Sequence, residues 1–166
     1  MTIHSSHPFA TPPEHRDAAR RLRGRLASPV TVWACGDGES RLGLTVSSLV
    51  VALGEPARMV GLVDPDSDFA LGLGPTFAVS VLEGGDHGLA EAFAGLAPAP
   101  GGVFRLAEFE ASPWGPVVAG RSWVGVRVES TRVLGWSTEV VGVVEHIDLR
   151  GGTPLAHLRG RYVPGS

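Results

Sequence analysis

Residues Gly43-Leu44-Thr45-Val46-Ser47-Ser48-Leu49 place three hydroxyl side chains within four positions of an otherwise apolar segment. Burying a hydroxyl without a hydrogen-bond partner costs on the order of 1–3 kcal/mol, so these groups need partners. Together with backbone N–H groups they could hold a phosphate, or they could bond the polar edge of a heterocycle. They could equally bond one another across a sheet or cap a turn. The stretch by itself leaves both interpretations open.

Short apolar segments separated by glycine and proline lie on both sides of this stretch. Upstream, Asp37-Gly38 is typical of a hairpin turn, and downstream Gly54-Glu55-Pro56 interrupts any strand. Because the predicted strands do not alternate regularly with helices, the pattern favours a mainly antiparallel β-barrel with peripheral helices. Six or seven strands are predicted, over 30–35, 42–52 (or a strand plus a loop), 57–64, 77–82, 121–130, 139–149 and 153–158, and three helices, over 11–26, 67–73 and 86–93.

The absence of lysine excludes several catalytic chemistries. All 14 basic side chains are arginine, so the chain cannot form a Schiff-base enzyme, a P-loop or a protein-kinase site. The single cysteine, Cys35, excludes an intrachain disulfide, a CxxC redox pair, a cysteine-rich zinc site and an iron–sulfur cluster. Any catalysis must therefore use histidine, arginine, carboxylates, hydroxyls or a borrowed cofactor.

The length of 166 residues fits one domain. We expect residues 11–166 to form it and residues 1–10 to be a disordered tail. The formal net charge of −3 does not favour nucleic acid as a partner. No apolar run reaches the roughly 18 residues of a membrane span, and the first ten residues do not have the shape of a signal peptide. The sequence thus indicates a soluble, cytoplasmic protein with no membrane partner.

A basic helix is predicted near the N-terminus. Thr11 fits its N-cap, Pro12 its first helical position and Glu14 the third position of a capping box. Its apolar face would include Leu22 and Leu26. Its arginines form either a solvated polar face, with favourable charge near the helix C-terminus, or a surface that binds an anion. These arginines are Arg16, Arg20, Arg21, Arg23 and Arg25.

No set of side chains has the pattern of a catalytic or metal site. There is no nucleophile-elbow motif around Ser47, and the six histidines do not have metal-ligand spacing. Glu108 and Glu110 alternate on a predicted strand, where we expect them to be solvated, and Cys35 is expected to be a small buried hydrophobe. Catalytic residues are therefore left unassigned, and no metal site is expected.

The order and spacing of several short motifs resemble those of one family, the flavin reductase-like FMN-binding split barrels. The resemblance covers roughly residues 20–162, and no single motif in it is specific. The matching motifs are the opening strand at 28–32, the Gly-x-Thr-x-Ser-Ser stretch at 43–48, Glu55-Pro56, Val63-Asp64 with Ser67, the Phe-Ala-Val-x-Val-Leu strand at 77–82, Phe93-Ala94-Gly95, and Gly115-Pro116 before Trp123.

The resemblance implies a homodimeric split barrel that binds FMN, or FAD, near the subunit boundary. The implied activity is reduction of flavin by NADH or NADPH, often to supply reduced flavin to a partner monooxygenase. The cofactor would carry the chemistry, and the protein would orient the nicotinamide against the flavin and shield both from water. The residues implied to contact the flavin are Thr45, Val46, Ser47, Ser48, Val63, Asp64 and Ser67.

This sequence departs from the family pattern at several positions. Ser137 stands where many members have a histidine near the nicotinamide, and Gly142-Val143 replaces a Gly-Glu pair. Asp68 follows Ser67 where many members have arginine, and a carboxylate facing a dianionic phosphate would be unfavourable. An alternative is therefore a flavin-binding split barrel without reductase activity, acting as a carrier, sensor or assembly module.

Overall fold

The computed structural model describes residues 13–165, with side chains from residue 18 onward. The predicted N-terminal tail and the cap at Thr11 and Pro12 lie outside the described residues. The helices are α1 (Pro13–Arg25), α2 (Asp68–Leu71) and α3 (His87–Phe93). The strands are β1 (Ser28–Pro29), β2 (Thr31–Cys35), β3 (Leu42–Val46), β4 (Leu49–Ala52), β5 (Arg58–Val63), β6 (Thr76–Val81), β7 (Phe109–Glu110), β8 (Val117–Val118), β9 (Trp123–Leu134), β10 (Ser137–Asp148), β11 (Leu155–Leu158) and β12 (Arg161–Pro164).

A seven-stranded antiparallel sheet, in the order β3-β2-β6-β9-β10-β5-β4, forms most of the molecule. Its two edge strands, β3 and β4, are consecutive in the chain and are joined only by Ser47 and Ser48. In a flat sheet the edges would lie about 29 Å apart, since neighbouring strands are roughly 4.8 Å apart. The link from Val46 to Leu49 reaches at most about 11 Å. The sheet must therefore curl until its edges meet, and the predicted antiparallel split barrel is confirmed.

The interior of the curled sheet is filled around Trp33, which is fully buried. Its ring stacks on Phe77 with centroids 4.6 Å apart and meets the edge of Phe69 at 6.3 Å. The far end of the ring packs on Gly61, where a β-carbon would overlap it. In the sheet β2 and β5 are separated by β6, β9 and β10, so the Trp33–Gly61 contact crosses the barrel. The indole N–H has no acceptor among the described residues, so packing alone holds this ring.

A second core lies on the other face of β2 and β6, under α3 and the small sheet β1-β11-β12. Val30, Val32, Leu82 and Phe93 are buried there. Asp86 precedes α3 and accepts two hydrogen bonds from Arg121, at 2.6 and 2.8 Å. This pair anchors the start of α3 to the turn before β9.

The structure corrects several boundaries. The predicted strand over 42–52 is two strands, because the chain passes from one sheet edge to the other at Ser47 and Ser48. The almost continuous apolar run at 59–63 predicts a strand that is buried on both faces, and this prediction is wrong. Burial alternates along β5, and Leu62 is 36% exposed because nothing in the described chain covers its outer face. A two-residue turn at Gly135 and Trp136 joins β9 and β10. Strand β9 continues four residues past its predicted end at 130, and β10 begins two residues before its predicted start at 139.

Helix α1 presents its apolar face to solvent. Leu22 and Leu26 are 62% and 60% exposed, although the sequence pattern predicts that such a face packs on a core. The helix is held to the domain near its C-terminal end, where the N–H of Arg159 donates to the carbonyl of Gly24 at 2.7 Å. No helix within the described residues is long and apolar enough to cross a membrane.

Replacing Gly61 by alanine should destabilise the fold by about 1–3 kcal/mol, because the new methyl group would displace the Trp33 ring. Gly74→Ala is the matched control, since a β-carbon there meets nothing within 4 Å. Urea unfolding of the two variants measures the difference. Equal stabilities would show that the Trp33–Gly61 contact does not close the barrel.

The Asp86–Arg121 pair should make stability depend on pH. Burial disfavours the charged carboxylate and by itself would raise the pKa of Asp86. Hydrogen bonds donated by Arg121 and by the Glu83 N–H, together with the positive charge of Arg121, outweigh burial and lower this pKa. A lowered folded-state pKa means that the stabilisation is present above the unfolded value of about 3.9 and is lost as the pH falls through the folded value.

Asp86→Asn should therefore cost about 1.5–3 kcal/mol at pH 7 and progressively less below about pH 4. Unfolding free energies of the wild type and the variant across this range test the point. Glu108→Gln, which changes an exposed carboxylate outside any described ion pair, should show no such convergence. A constant difference between the wild type and Asp86→Asn at all pH values would contradict the assignment.

Candidate functional site

The sheet register brings three separated segments to one end of the barrel. Leu49 pairs with Gly61, and Thr138 pairs with Val63, so the start of β4, the end of β5 and the start of β10 lie side by side. The N–H of Leu62 donates to the carbonyl of Ser48 at 2.8 Å, which fixes the first of these contacts. The two stretches implied by the family resemblance, 45–48 and 63–67, therefore meet where the barrel closes, with Ser137 one residue beyond Thr138.

The three hydroxyls of the opening stretch do not have the same role. Thr45 donates to the carbonyl of Ala90 in α3 at 2.6 Å, so its hydroxyl ties β3 to the helix. Val46 is buried in the core. Ser47 and Ser48 are half-buried, and within the described residues their hydroxyls have no hydrogen-bond partner. The hydroxyls of this stretch were open to a structural role or to ligand binding. The hydroxyl of Thr45 has the structural role, whereas those of Ser47 and Ser48 are available to bind a ligand.

The loop after β5 is held by its own hydrogen bonds. The carboxylate of Asp64 accepts from the N–H of Asp66 at 2.9 Å. The hydroxyl of Ser67 donates to the carbonyl of Asp64 at 2.7 Å and accepts from the N–H of Ala70 at 3.2 Å. Ser67 therefore caps α2, which a serine at the start of the predicted helix over 67–73 favours. Val63 is buried in the core, whereas Asp64 is exposed. The loop thus offers a fixed backbone at the edge of a cavity of about 300 Å³ that Val63 and Thr138 help to line.

The charge around this end of the barrel is mainly negative. Asp64 and Asp68 are exposed on the loop and on the first turn of α2. On the neighbouring strands, Arg132 is paired with Glu139 at 2.7 Å, so its charge is already matched. A phosphate group bound here would need a further cation.

A larger cavity of about 830 Å³ lies beside Asp68, between the β2–β3 turn and the segment 101–116. Arg41 and Phe104 line it, with the guanidinium carbon of Arg41 4.7 Å from the centre of the Phe104 ring. None of the seven residues predicted to contact flavin lines this cavity. Sequence reasoning missed it because half of its wall is a Gly- and Pro-rich loop, whose composition marks a connection and nothing more.

The chain belongs to the flavin reductase family. Residues 23–166 match the family described as "Flavin reductase like domain", which covers most of the sequence. This establishes the class of the protein: it is a member of the flavin reductase-like family. No curated protein sequence gives a significant match.

Solved structures share the fold over nearly their full length. The NADH:FAD oxidoreductase SgcE6 of Streptomyces globisporus C-1027 is 26% identical, with a TM-score of 0.80 over 92% of this chain and 94% of that one. The flavin reductase PheA2 is 20% identical, with a TM-score of 0.82 over 90% and 97%. BorF, the flavin reductase component of a bacterial two-component tryptophan halogenase, is 20% identical, with a TM-score of 0.80 over 90% and 98%. At 20% identity the likeness to PheA2 and BorF shows the fold alone.

Replacing both Ser47 and Ser48 by alanine should weaken flavin binding by about 1–3 kcal/mol, if each hydroxyl forms one net hydrogen bond with the ligand. That loss corresponds to roughly a five- to 150-fold rise in Kd. Quenching of flavin fluorescence on titration measures it. Ser130→Ala, an exposed hydroxyl on β9, is the matched control and should leave the Kd unchanged.

Thr45→Val should behave differently. Because its hydroxyl bonds Ala90, the substitution should lower the free energy of unfolding by about 0.5–1.5 kcal/mol. Its flavin affinity, measured in the folded variant, should stay near that of the wild type. A large loss of flavin affinity with unchanged stability would reassign Thr45 to the ligand.

Proposed function

We propose that the protein binds FMN or FAD at the closure of the barrel and reduces flavin with NADH or NADPH. The observation that carries the proposal is the pair of half-buried serines beside the fixed loop of Val63, Asp64 and Ser67. Within the described part of the chain, the hydroxyls of Ser47 and Ser48 have no hydrogen-bond partner. These are the positions that the family resemblance implies.

The donor set at this site fits a flavin. The polar edge of an isoalloxazine ring carries carbonyl oxygens and ring nitrogens, which match hydroxyls and backbone N–H groups. When bound, the flavin supplies hydride and electron transfer, so no protein nucleophile is needed. The serines would orient the ring edge, and Val63 would give the site an apolar floor that excludes water. Lysine is not required for any of these roles.

We also propose that a homodimer interface lies next to this site. Val50, Val51 and Leu53, in and just after the edge strand β4, are 65%, 53% and 93% exposed. A row of apolar side chains on a sheet edge is typical of a surface that another chain covers. We propose a homodimer that buries this edge next to Ser47 and Ser48. Its subunits would work in the cytoplasm and supply reduced flavin to a monooxygenase.

Charge placed on this edge should separate the subunits. Val50→Glu with Val51→Glu should change the sedimentation coefficient from that of a dimer to that of a 17.3 kDa monomer, because a dimer would bury both carboxylates. Leu96→Glu introduces the same charge at an exposed leucine elsewhere and should leave the dimer intact. A wild-type protein that sediments as a monomer at micromolar concentration contradicts the proposed dimer.

A second candidate function is flavin binding without reduction, as in a carrier or sensor. Ser137 favours it: this half-buried side chain at the start of β10 has no imidazole with which to contact a nicotinamide or move a proton. The histidine that many family members have at this position would supply both the contact with the nicotinamide and the proton transfer.

Anaerobic stopped-flow mixing tests the two candidates. The flavin-loaded protein is mixed with NADH and, separately, with NADPH. Rapid bleaching of the flavin absorption band supports the reductase, and bound flavin that neither nucleotide bleaches supports the carrier or sensor. A protein that binds neither FMN nor FAD contradicts both.

A further inference from the structure

A basic concavity lies on the side of the molecule formed by α1 and the β11–β12 turn. It has a volume of about 470 Å³ and is lined by Arg20, Arg21, Gly24, Arg25, Arg159 and Gly160. These residues come from two elements far apart in the sequence. The hydrogen bond from the N–H of Arg159 to the carbonyl of Gly24, at 2.7 Å, holds the two elements together. None of the residues belongs to the flavin site.

The four arginines of this concavity differ from most other arginines of the described chain. Within the described residues, none of the four forms an ion pair with a carboxylate, so four exposed like charges line one concavity. An anion bound among them would relieve their mutual repulsion. By contrast, five arginines elsewhere have carboxylate partners: Arg58, Arg121, Arg127, Arg132 and Arg150.

The backbone at Arg159 gives a second, independent indication. Leu158 pairs with Arg161, so Arg159 and Gly160 form a two-residue turn. Both have positive φ, 52° and 77°, and Arg159 is the only residue other than glycine with positive φ in the described chain. Asparagine followed by glycine is the preferred sequence for such a turn. Arginine is disfavoured there, and its guanidinium makes no described contact within the chain that would offset this cost.

The geometry points to a binding site for a pyrophosphate group, such as the diphosphate of a nucleotide. Guanidinium forks match phosphate oxygens in pairs, and several forks around one concavity match a group that carries several charges. Gly24 and Gly160 leave room for a ligand to approach the backbone. Among the described side chains no aromatic ring lines the concavity, so these residues would recognise the phosphates and not a base.

An acidic protein surface fits these observations less well. It would present single carboxylates over a broad area and would meet Arg23, which lies on α1 outside the concavity, as readily as Arg21. A compact anion bound in the concavity would contact Arg21 but not Arg23. Arg23→Ala is therefore the matched control for Arg21→Ala.

Isothermal titration calorimetry of the full-length, flavin-free protein with inorganic pyrophosphate at low ionic strength tests the site. The variants are Arg21→Ala, Arg159→Asn, the two combined, and Arg23→Ala. Asparagine tolerates the left-handed conformation, so Arg159→Asn removes the guanidinium without disturbing the turn. Circular dichroism checks that each variant is folded.

We expect saturable binding by the wild type, a Kd at least tenfold higher in the combined variant, and less than a twofold change in Arg23→Ala. Competition by ADP but not NADPH would identify a free nucleotide as the source of the diphosphate, and competition by NADPH would identify a dinucleotide. Absence of saturable binding, an equal loss in Arg23→Ala, or tighter binding of hexaglutamate than of pyrophosphate would overturn the proposal. Because no flavin is present, these outcomes do not depend on the proposed reductase activity.

Discussion

The contact between Trp33 and Gly61 is the constraint on which the rest of the structure depends. It joins two strands that are separated by three others in the sheet, so it exists only if the sheet curls. The indole fills the interior by stacking on Phe77 and meeting Phe69, and the missing β-carbon of Gly61 gives it room. Curling brings the two sheet edges together, and the chain crosses between them at Ser47 and Ser48. Core packing on one side of the sheet thus places two serine hydroxyls at the end of the barrel.

The fold and part of the site could be predicted from the sequence, because they depend on local patterns. Short apolar segments, glycine- and proline-containing turns and the order of the short motifs were enough to predict an antiparallel split barrel. The role of Thr45 could not be predicted, since its partner, Ala90, lies 45 positions further along the chain. The exposure of Leu62 was missed because an apolar run does not reveal whether a neighbouring element covers each face. The basic concavity was out of reach for the same reason: Arg159 meets α1 only through the tertiary fold.

Charge is distributed unevenly over this lysine-free molecule. As a result, the two proposed binding sites suit different chemical groups. At the barrel closure the free donors are neutral hydroxyls beside Asp64 and Asp68, which suits the polar edge of a ring better than a phosphate. Around Arg159, by contrast, four arginines line one concavity and have no carboxylate partner within the described residues. This surface suits a phosphate better than the polar edge of a ring. The arginines that do have partners, such as Arg121 with Asp86, hold the fold together. Arginine therefore stabilises the fold through ion pairs at some positions and is available to bind a ligand at others.

Flavin binding where the barrel closes is the property on which the proposed function depends most. A crystal structure of the protein grown with FMN tests it directly. We predict that the ring edge lies within hydrogen-bonding distance of the Ser47 and Ser48 hydroxyls, next to the loop of Asp64 and Ser67. Flavin bound instead in the 830 Å³ cavity beside Arg41 and Phe104, with both serines unoccupied, would contradict it.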